Sequence, residues 1–428
     1  MANFSSIERN LSMLLTKFPL SKQAIKRVYL FLNYLLFKKK YRFKIHNNSI
    51  DKIEQVYLLK ENEESFFGYY DKSPLVDNKI ISYISNFSTR KIPNNNISIK
   101  IVISSLFSDK CHCIATTKSY NWQQGCRAQW LSDNLLIYND FDDKKGIYCS
   151  KIFSISQMNV VYTFDYPIQD SYKDKYFLSI NYRRLMYLRP DYGYRNLPQL
   201  PLSEIKNYSS DGIWRIDIHT GSSCLVHSLN DIIHLEYKEV FNYSLHKVNH
   251  LMISPNGLGC IFIHRYYKNF IRYDRLIFSN YLSFKVLIDF GMVSHCCWIS
   301  NYTIFGYLRY KSKDGFYFID VETGTVSECH KLNTQTNGDG HPSSYKHFIV
   351  VDTYPDKSSM QKLLLYDFRN EVVYPLIEVF HGVNYNNQTR CDLHPRFSFD
   401  GRYVFFDTIY LGKRTHCRIN VSHLTLNV

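Results

Sequence analysis

The stretch His394-Pro395-Arg396-Phe397-Ser398-Phe399-Asp400-Gly401-Arg402-Tyr403-Val404-Phe405-Phe406-Asp407-Thr408 runs from a histidine through an Asp-Gly turn into a short apolar run that ends in Asp-Thr. Asp-Gly supplies the positive φ that a tight hairpin needs, and four to eight apolar residues bounded by turn signals read as a strand. An earlier copy begins His341-Pro342 and ends His347-Phe348-Ile349-Val350-Val351-Asp352-Thr353, two residues shorter between its His-Pro and its Asp-Thr. A third reads His250-Leu251-Met252-Ile253-Ser254-Pro255-Asn256-Gly257, with its His, Ser and Gly at the spacing of His394, Ser398 and Gly401. A fourth histidine, in Val293-Ser294-His295-Cys296-Cys297-Trp298, falls between them.

The intervals between these histidines are 45, 46 and 53 residues. Four-stranded propeller blades occupy about 40 to 50 residues. Further blade starts can be placed near Tyr69, Arg127 and Pro167, which makes seven, with six and eight as the alternatives and residues from Arg189 to about Ser210 read as an inserted loop. The rest of the chain agrees. Lys79-Ile80-Ile81-Ser82-Tyr83-Ile84, Leu135-Leu136-Ile137-Tyr138 and Cys260-Ile261-Phe262-Ile263 are strand-length runs, and no sustained helical pattern separates them. The reading is an all-β chain: a seven-bladed β-propeller over 51–428 with a short helical extension over 1–50.

In that extension Ile25, Val28, Tyr29, Leu32, Leu35 and Leu36 recur near helical spacing, and Lys38, Lys39, Lys40, Arg42 and Lys44 follow. Two readings fit: a basic amphipathic helix over 1–45 lying on an anionic membrane surface, or a helix packed against the main body. The longest apolar run is ten residues, too short to span a bilayer, and no secretory cleavage pattern follows it. The expected location is the cytoplasm, with peripheral contact at the inner membrane.

With 428 residues, 45% of them hydrophobic, the chain can bury a large core, which excludes disorder. A net charge of +14 invites an anionic partner. No zinc-finger spacing, helix-turn-helix or RNA-recognition motif is present, so nucleic acid is not expected. The eleven cysteines form no framework and no C-x-x-C knuckle, and reduced thiols are expected. Phosphate-binding glycine loops, G-x-S-x-G elbows and H-E-x-x-H helices are also missing from the sequence.

Equivalent positions of successive blades circle one axis, so four histidines at blade starts would bring four imidazoles around one funnel. Converging imidazoles can bind a metal, move protons or grip sugar hydroxyls. The alternative is that each satisfies backbone groups between blades. Arg265, Arg390 and Arg396 accompany these histidines, and Arg127, Arg184 and Arg189 occupy comparable loops. Guanidinium forks suit carboxylate and phosphate. Salt bridges to Asp339, Asp352, Asp392 and Asp407 are the competing use. Tyr69, Tyr70, Trp122, Trp298 and Tyr354 are aromatic neighbours that would stack on sugar faces or simply pack.

Gly338-Asp339-Gly340-His341-Pro342, Asp352-Thr353-Tyr354-Pro355-Asp356 and Arg390-Cys391-Asp392-Leu393-His394-Pro395-Arg396 with Asp400-Gly401 resemble the oligogalacturonate lyase group of propellers. The closer resemblance is to relatives found among bacterial surface-polysaccharide proteins, of the O-antigen or capsule kind. It covers most of 60–420 and is strongest after residue 245. The resemblance implies a divalent metal, typically manganese, held by histidines and a glutamine, and a basic residue that removes the proton beside a uronate carboxylate. It makes His295, His341 and His394 the candidate metal ligands. Arg265, His250 and Arg396 become the candidate catalytic groups, and Arg127, Arg184, Arg390, Asp339 and Tyr354 the candidate substrate contacts.

One departure matters. The family's late metal run is Gln-x-x-His-x-His, and here Cys391 stands for the glutamine and Arg396 for the second histidine. The expectation is therefore a carbohydrate-active propeller that binds an anionic oligosaccharide or polysaccharide intermediate, with lyase-type β-elimination as the enzymatic form. The alternatives are a sugar transferase or assembly protein at the membrane and a non-catalytic glycan-binding scaffold.

Overall fold

A computed structural model of the protein describes residues 19–108, 111–269, 271–336 and 338–426. The apolar runs become strands arranged in seven antiparallel sheets. In chain order, blade one spans residues 64–117, blade two 129–164, blade three 170–228, blade four 245–288, blade five 293–328, blade six 342–380 and blade seven 396–420. Each is a meander whose first strand lies at the axis, so sequence order and radial order coincide.

Period-two alternation sets the packing. In the strand Phe348–Asp352, Phe348 and Val350 join a core with Leu393, Val404 and Phe406 of blade seven, while Ile349 and Val351 join Phe305 and Phe316 of blade five. Comparable clusters fill the other blade-to-blade interfaces. Ile81 meets Leu136, Ile137 meets Phe177, Phe262 lies with Leu178, and Ile263 with Ile304. Both sheet faces are therefore apolar, which is why the strands read as continuous runs. Each fully buried aliphatic or phenyl side chain contributes about 1.5–3 kcal/mol.

The ring closes between the two ends of the propeller. Glu54–Gln55 pairs with Thr415–Asn420 as the outermost strand of blade seven, with Glu54 opposite Arg418 and an ion pair of 2.8 Å between them. Leu75, Ile80 and Phe405 fill the seam between blades one and seven. Phe43–Ile45, which the sequence reading places in the extension, adds a fifth strand to the outer edge of blade six, opposite Ile377–Val379. The extension is otherwise the helix Pro19–Phe37. Its expected portion over 1–18 lies outside the described residues.

The repeated Ser-x-Asp/Asn-Gly segment is a shared turn. Ser398 Oγ donates to Asp400 at 2.5 Å and Ser254 Oγ to Asn256 at 2.7 Å. Gly401 sits at φ +73°, where a Cβ would meet the Tyr345 ring at 2.1 Å. The repeated Asp has a different task. Second-strand residues Asn139, Asp352 and Asp407 accept backbone N–H groups of Ile168, His394 and Phe67–Gly68, so each clips the next blade in place.

Two departures from a plain meander shape the axis. Blade one's inner strand is split into Glu64–Phe66 and Leu75–Val76, both paired with Lys79–Ser85, which leaves 67–74 as a loop carrying Tyr69, Tyr70 and Asp71. Blade three holds the expected insertion, with short helices Tyr182–Leu188 and Leu202–Ile205 between its second and third strands.

Candidate functional site

The four blade-start histidines converge. The ring centroids of His250 and His295 are 5.5 Å apart, those of His295 and His341 4.0 Å, and those of His341 and His394 4.3 Å. The blade-one loop completes the group. Tyr70 lies 5.8 Å from His295 and 5.5 Å from His341, and Tyr69 lies 5.3 Å from His394. All four imidazoles are buried. His250 and His394 occupy the left-handed region, φ +50° and +46°, as does Arg127 at the matching point of blade two, φ +56°. Side chains seldom adopt that conformation outside sites whose surroundings impose it.

Three of the imidazoles hydrogen-bond to side chains, which favours a site over backbone satisfaction. His250 Nδ1 meets the Tyr69 hydroxyl, His295 Nδ1 lies 3.3 Å from Asp339, and His341 Nδ1 lies 2.9 Å from Asp352. Because a carboxylate only accepts, His341 Nδ1 carries a proton and Nε2 is the nitrogen left for a ligand. Nε2 of His341 and Nε2 of His394 are both buried without a hydrogen-bond partner among the described residues. Asp392 stands beside them, and ligand atoms of His341, Asp392 and His394 all lie within 4.8 Å of one another.

Electrostatics separates these groups. Burial disfavours charge on His341, but Asp352, with Asp392 and Asp339 beyond it, more than reverses this and raises its pKa. Burial, reinforced by His341 and Arg390, holds His394 well below the usual range. His250 is likewise lowered by burial and by Arg265, and His295 falls to about 4 through burial and His341. Three neutral imidazoles thus surround one that favours its proton. Burial would raise the Asp392 pKa, yet Arg390 and His341 bring it below the ordinary carboxylate value.

Two buried Nε2 atoms without a hydrogen-bond partner among the described residues and an ionised carboxylate suit a divalent cation once His341 has given up its second proton, and the Asp352–His341 bond has the arrangement by which an outer carboxylate orients a metal-binding imidazole. Asp392 was legible in the sequence only as an arginine partner. It gains its second role because it lies two residues before His394 on one extended segment.

The arginines divide by use. Arg390 bridges Asp191 and Asp392, 2.6 Å from each, at the edge of the cluster. Arg265 is buried against Asp274 at 3.0 Å. Arg127 is held bidentately by Asp71, at 2.9 and 2.8 Å, with its guanidinium over Tyr69. Arg184 lies apart from the cluster, bonded to Asp211 and the carbonyls of Ile205 and His246, where it pins the blade-three insertion. Arg396 is fully buried, giving its guanidinium to the carbonyls of Gly68 and His394 and to Asp407. It fixes the backbone beneath Tyr69 and His394 and does not point at the imidazoles. Cys391 packs with Tyr385 and Ile409 and stays out of the cluster. Asp339 accepts from Ser294, and Tyr354 flanks His341 at 5.7 Å.

The sequence reading passed over Lys247. It sits opposite Arg265, which sits opposite Asp274, so the three form a row across one face of blade four. On the other face Arg275 sits opposite His264, which hydrogen-bonds to His246 diagonally across the strands. The Lys247 amine is buried and has no hydrogen-bond partner among the described residues. Burial, with Arg265 and Arg189 alongside, holds its pKa well below the usual lysine range. Arg189, tied to Asp191 at 2.8 Å, and Arg272, tied to Asp274 at 3.2 Å, complete this basic wall. A single lysine inside the otherwise uncharged strand Leu245–Ile253 was the available signal.

With this geometry in hand, the comparison with solved structures is decisive for the fold. An oligogalacturonate lyase in complex with manganese matches over 90% of this chain and 98% of its own, with TM-score 0.58 and 12% identity. The oligogalacturonate lyase of Vibrio parahaemolyticus matches over 90% and 97%, with TM-score 0.59 and 12% identity. The fold is similar to that of the oligogalacturonate lyases. No protein-family model matches the chain, and no curated protein matches its sequence. The oligogalacturonate lyase likeness therefore extends over most of the chain, at an identity that carries the fold alone.

Proposed function

We propose that the funnel binds an anionic glycan and that its reaction class is β-elimination at a uronate, within bacterial surface-polysaccharide metabolism. The observation that supports this most directly is the pair of partnerless Nε2 atoms on His341 and His394 beside Asp392. A divalent cation held there would neutralise a uronate carboxylate and stabilise the enolate charge that develops when the adjacent proton leaves.

The chain's own residues supply the rest. Lys247, Arg265, Arg189 and Arg272 make an attractive wall for further carboxylates. His250, kept neutral by burial and oriented by Tyr69, is a base for the proton. Tyr69 and Tyr70 pack against the imidazoles, and the half-buried Tyr354 beside His341 offers its ring to the sugar. Eleven free cysteines suit a reducing cytoplasm.

A glycan-binding scaffold is the second reading. It is favoured by Cys391 and Arg396, which occupy the family's ligand positions and are committed elsewhere. Incubation with oligogalacturonides, with and without manganese, separates the two. Elimination creates an unsaturated uronide that absorbs in the ultraviolet, and a gain that disappears in His341→Ala supports turnover. Binding by calorimetry without any gain in absorbance supports the scaffold, and neither signal would overturn the glycan reading.

A further inference from the structure

Among the described side chains of the helix Pro19–Phe37, the side that meets the propeller is marked by Asn33 and Tyr34. Asn33 is buried, and the Tyr34 ring lies 5.5 Å from Phe380. On the opposite side, by helical spacing, Ile25, Val28, Phe31, Leu32, Leu35 and Leu36 form one stripe. These six are exposed, from 46% for Ile25 to 78% for Leu36. A packed helix would hide them, and large apolar patches on soluble proteins mark interaction surfaces.

The stripe is followed directly by charge. Lys38, Lys40, Arg42 and Lys44 are exposed, and Lys38, Lys40 and Lys44 have no acidic partner among the described residues. The junction itself is fastened: Lys39 and Tyr41 bond Glu378 at 2.5 and 2.8 Å, and Phe43–Ile45 pairs into blade six. Helix and basic segment therefore leave the propeller at a fixed edge. No helix among the described residues is long and apolar enough to cross a membrane.

We infer that residues 19–44 dock the propeller on an anionic lipid surface, with the Ile25–Leu36 stripe in the acyl boundary and Lys38, Lys40 and Lys44 on the headgroups. An apolar stripe adjoined by lysines matches a surface that is apolar beneath and negatively charged above. A soluble protein partner would match one of these features, and an anionic lipid bilayer matches both. The inference is independent of any catalytic reading of the funnel.

Cosedimentation of the full chain with vesicles tests it. Binding is expected to phosphatidylglycerol–phosphatidylcholine vesicles and not to pure phosphatidylcholine. Leu32→Asp with Leu36→Asp, and separately Lys38→Glu with Lys40→Glu, should each weaken binding at least tenfold while the melting temperature stays unchanged. Absence of binding to the anionic vesicles overturns the inference, as does full binding by both variants. A chain that is dimeric by light scattering, becomes monomeric with Leu32→Asp and Leu36→Asp, and ignores vesicles would show that a second copy covers the stripe.

Discussion

The Nδ1 atom of His341 lies 2.9 Å from one carboxylate oxygen of Asp352, whose other oxygen accepts the backbone N–H of His394 at 3.1 Å. One acidic side chain thus fixes the tautomer of the first imidazole and the backbone of the second. The two residues that offer free Nε2 atoms are set relative to each other by a group that touches no ligand.

Asp352→Asn should weaken manganese binding. The amide is a poorer partner for Nδ1–H, and loss of such an outer carboxylate typically costs about 10–100-fold in affinity. Titration calorimetry of the variant against the unaltered protein measures it. Equal affinities would show that His341 is not a ligand.

Arg396→Met should destabilise the propeller by about 3–5 kcal/mol, the usual cost of leaving one member of a buried ion pair alone. Asp407 would lose its 2.9 Å partner, and the carbonyls of Gly68 and His394 would lose their donor. Urea denaturation followed by tryptophan fluorescence gives the difference. A small change would mean that the guanidinium is free to serve the site.

Lys247→Met should have opposite effects on stability and binding. The buried amine makes no hydrogen bond, so a methionine of similar shape removes an unmet donor and should stabilise by about 1–2 kcal/mol at neutral pH. The folded pKa is depressed, so the unfolded chain holds the extra proton and wild-type stability climbs as pH rises toward the ordinary lysine value. Lys247→Met should flatten that climb in urea midpoints between about pH 7 and 9 and weaken oligogalacturonide binding about tenfold. A destabilised variant would assign Lys247 to the fold.

Acid should loosen blade four. His246, bonded to His264 at 2.9 Å and to the Phe241 carbonyl, is lowered to about 4, mainly by burial, with Arg275 and Arg184 adding to it. The unfolded histidine titrates near 6.5, so stability is complete above that value and is lost as pH falls toward 4. The full loss from this residue is on the order of 3 kcal/mol. His246→Gln should reduce the slope of melting temperature against pH between 7 and 5, and an unchanged slope would contradict the assignment.

The propeller was readable because its strands are buried on both faces and its turns repeat. His250, His341 and His394 lie at blade starts, Gly257 and Gly401 at the hairpins, and Asp352 and Asp407 at the strand ends. All of these are local requirements of a repeating unit, so they recur at blade intervals in the chain itself. The convergence of the histidines followed from the same periodicity, because equivalent points of successive blades share an axis.

Local sequence did not specify which side chains face one another across that axis. Arg396 stands two residues after His394, yet its guanidinium turns to Asp407 and the Gly68 carbonyl. Asp392 reads as an arginine's counterion and also comes within ligand distance of His341 and His394. Lys247 becomes a buried, partnerless amine only when blade four stacks in the ring beside Arg189 of the blade-three insertion. Sequence by itself determined the repeat and the histidines, because hydrophobic period and turn chemistry act within about ten residues, while the seven sheets of the structure decided the blade count. Only the tertiary structure decided how the charges pair, because closing the ring brings together groups hundreds of residues apart, such as Gly68 and Arg396, and burial sets the state of each.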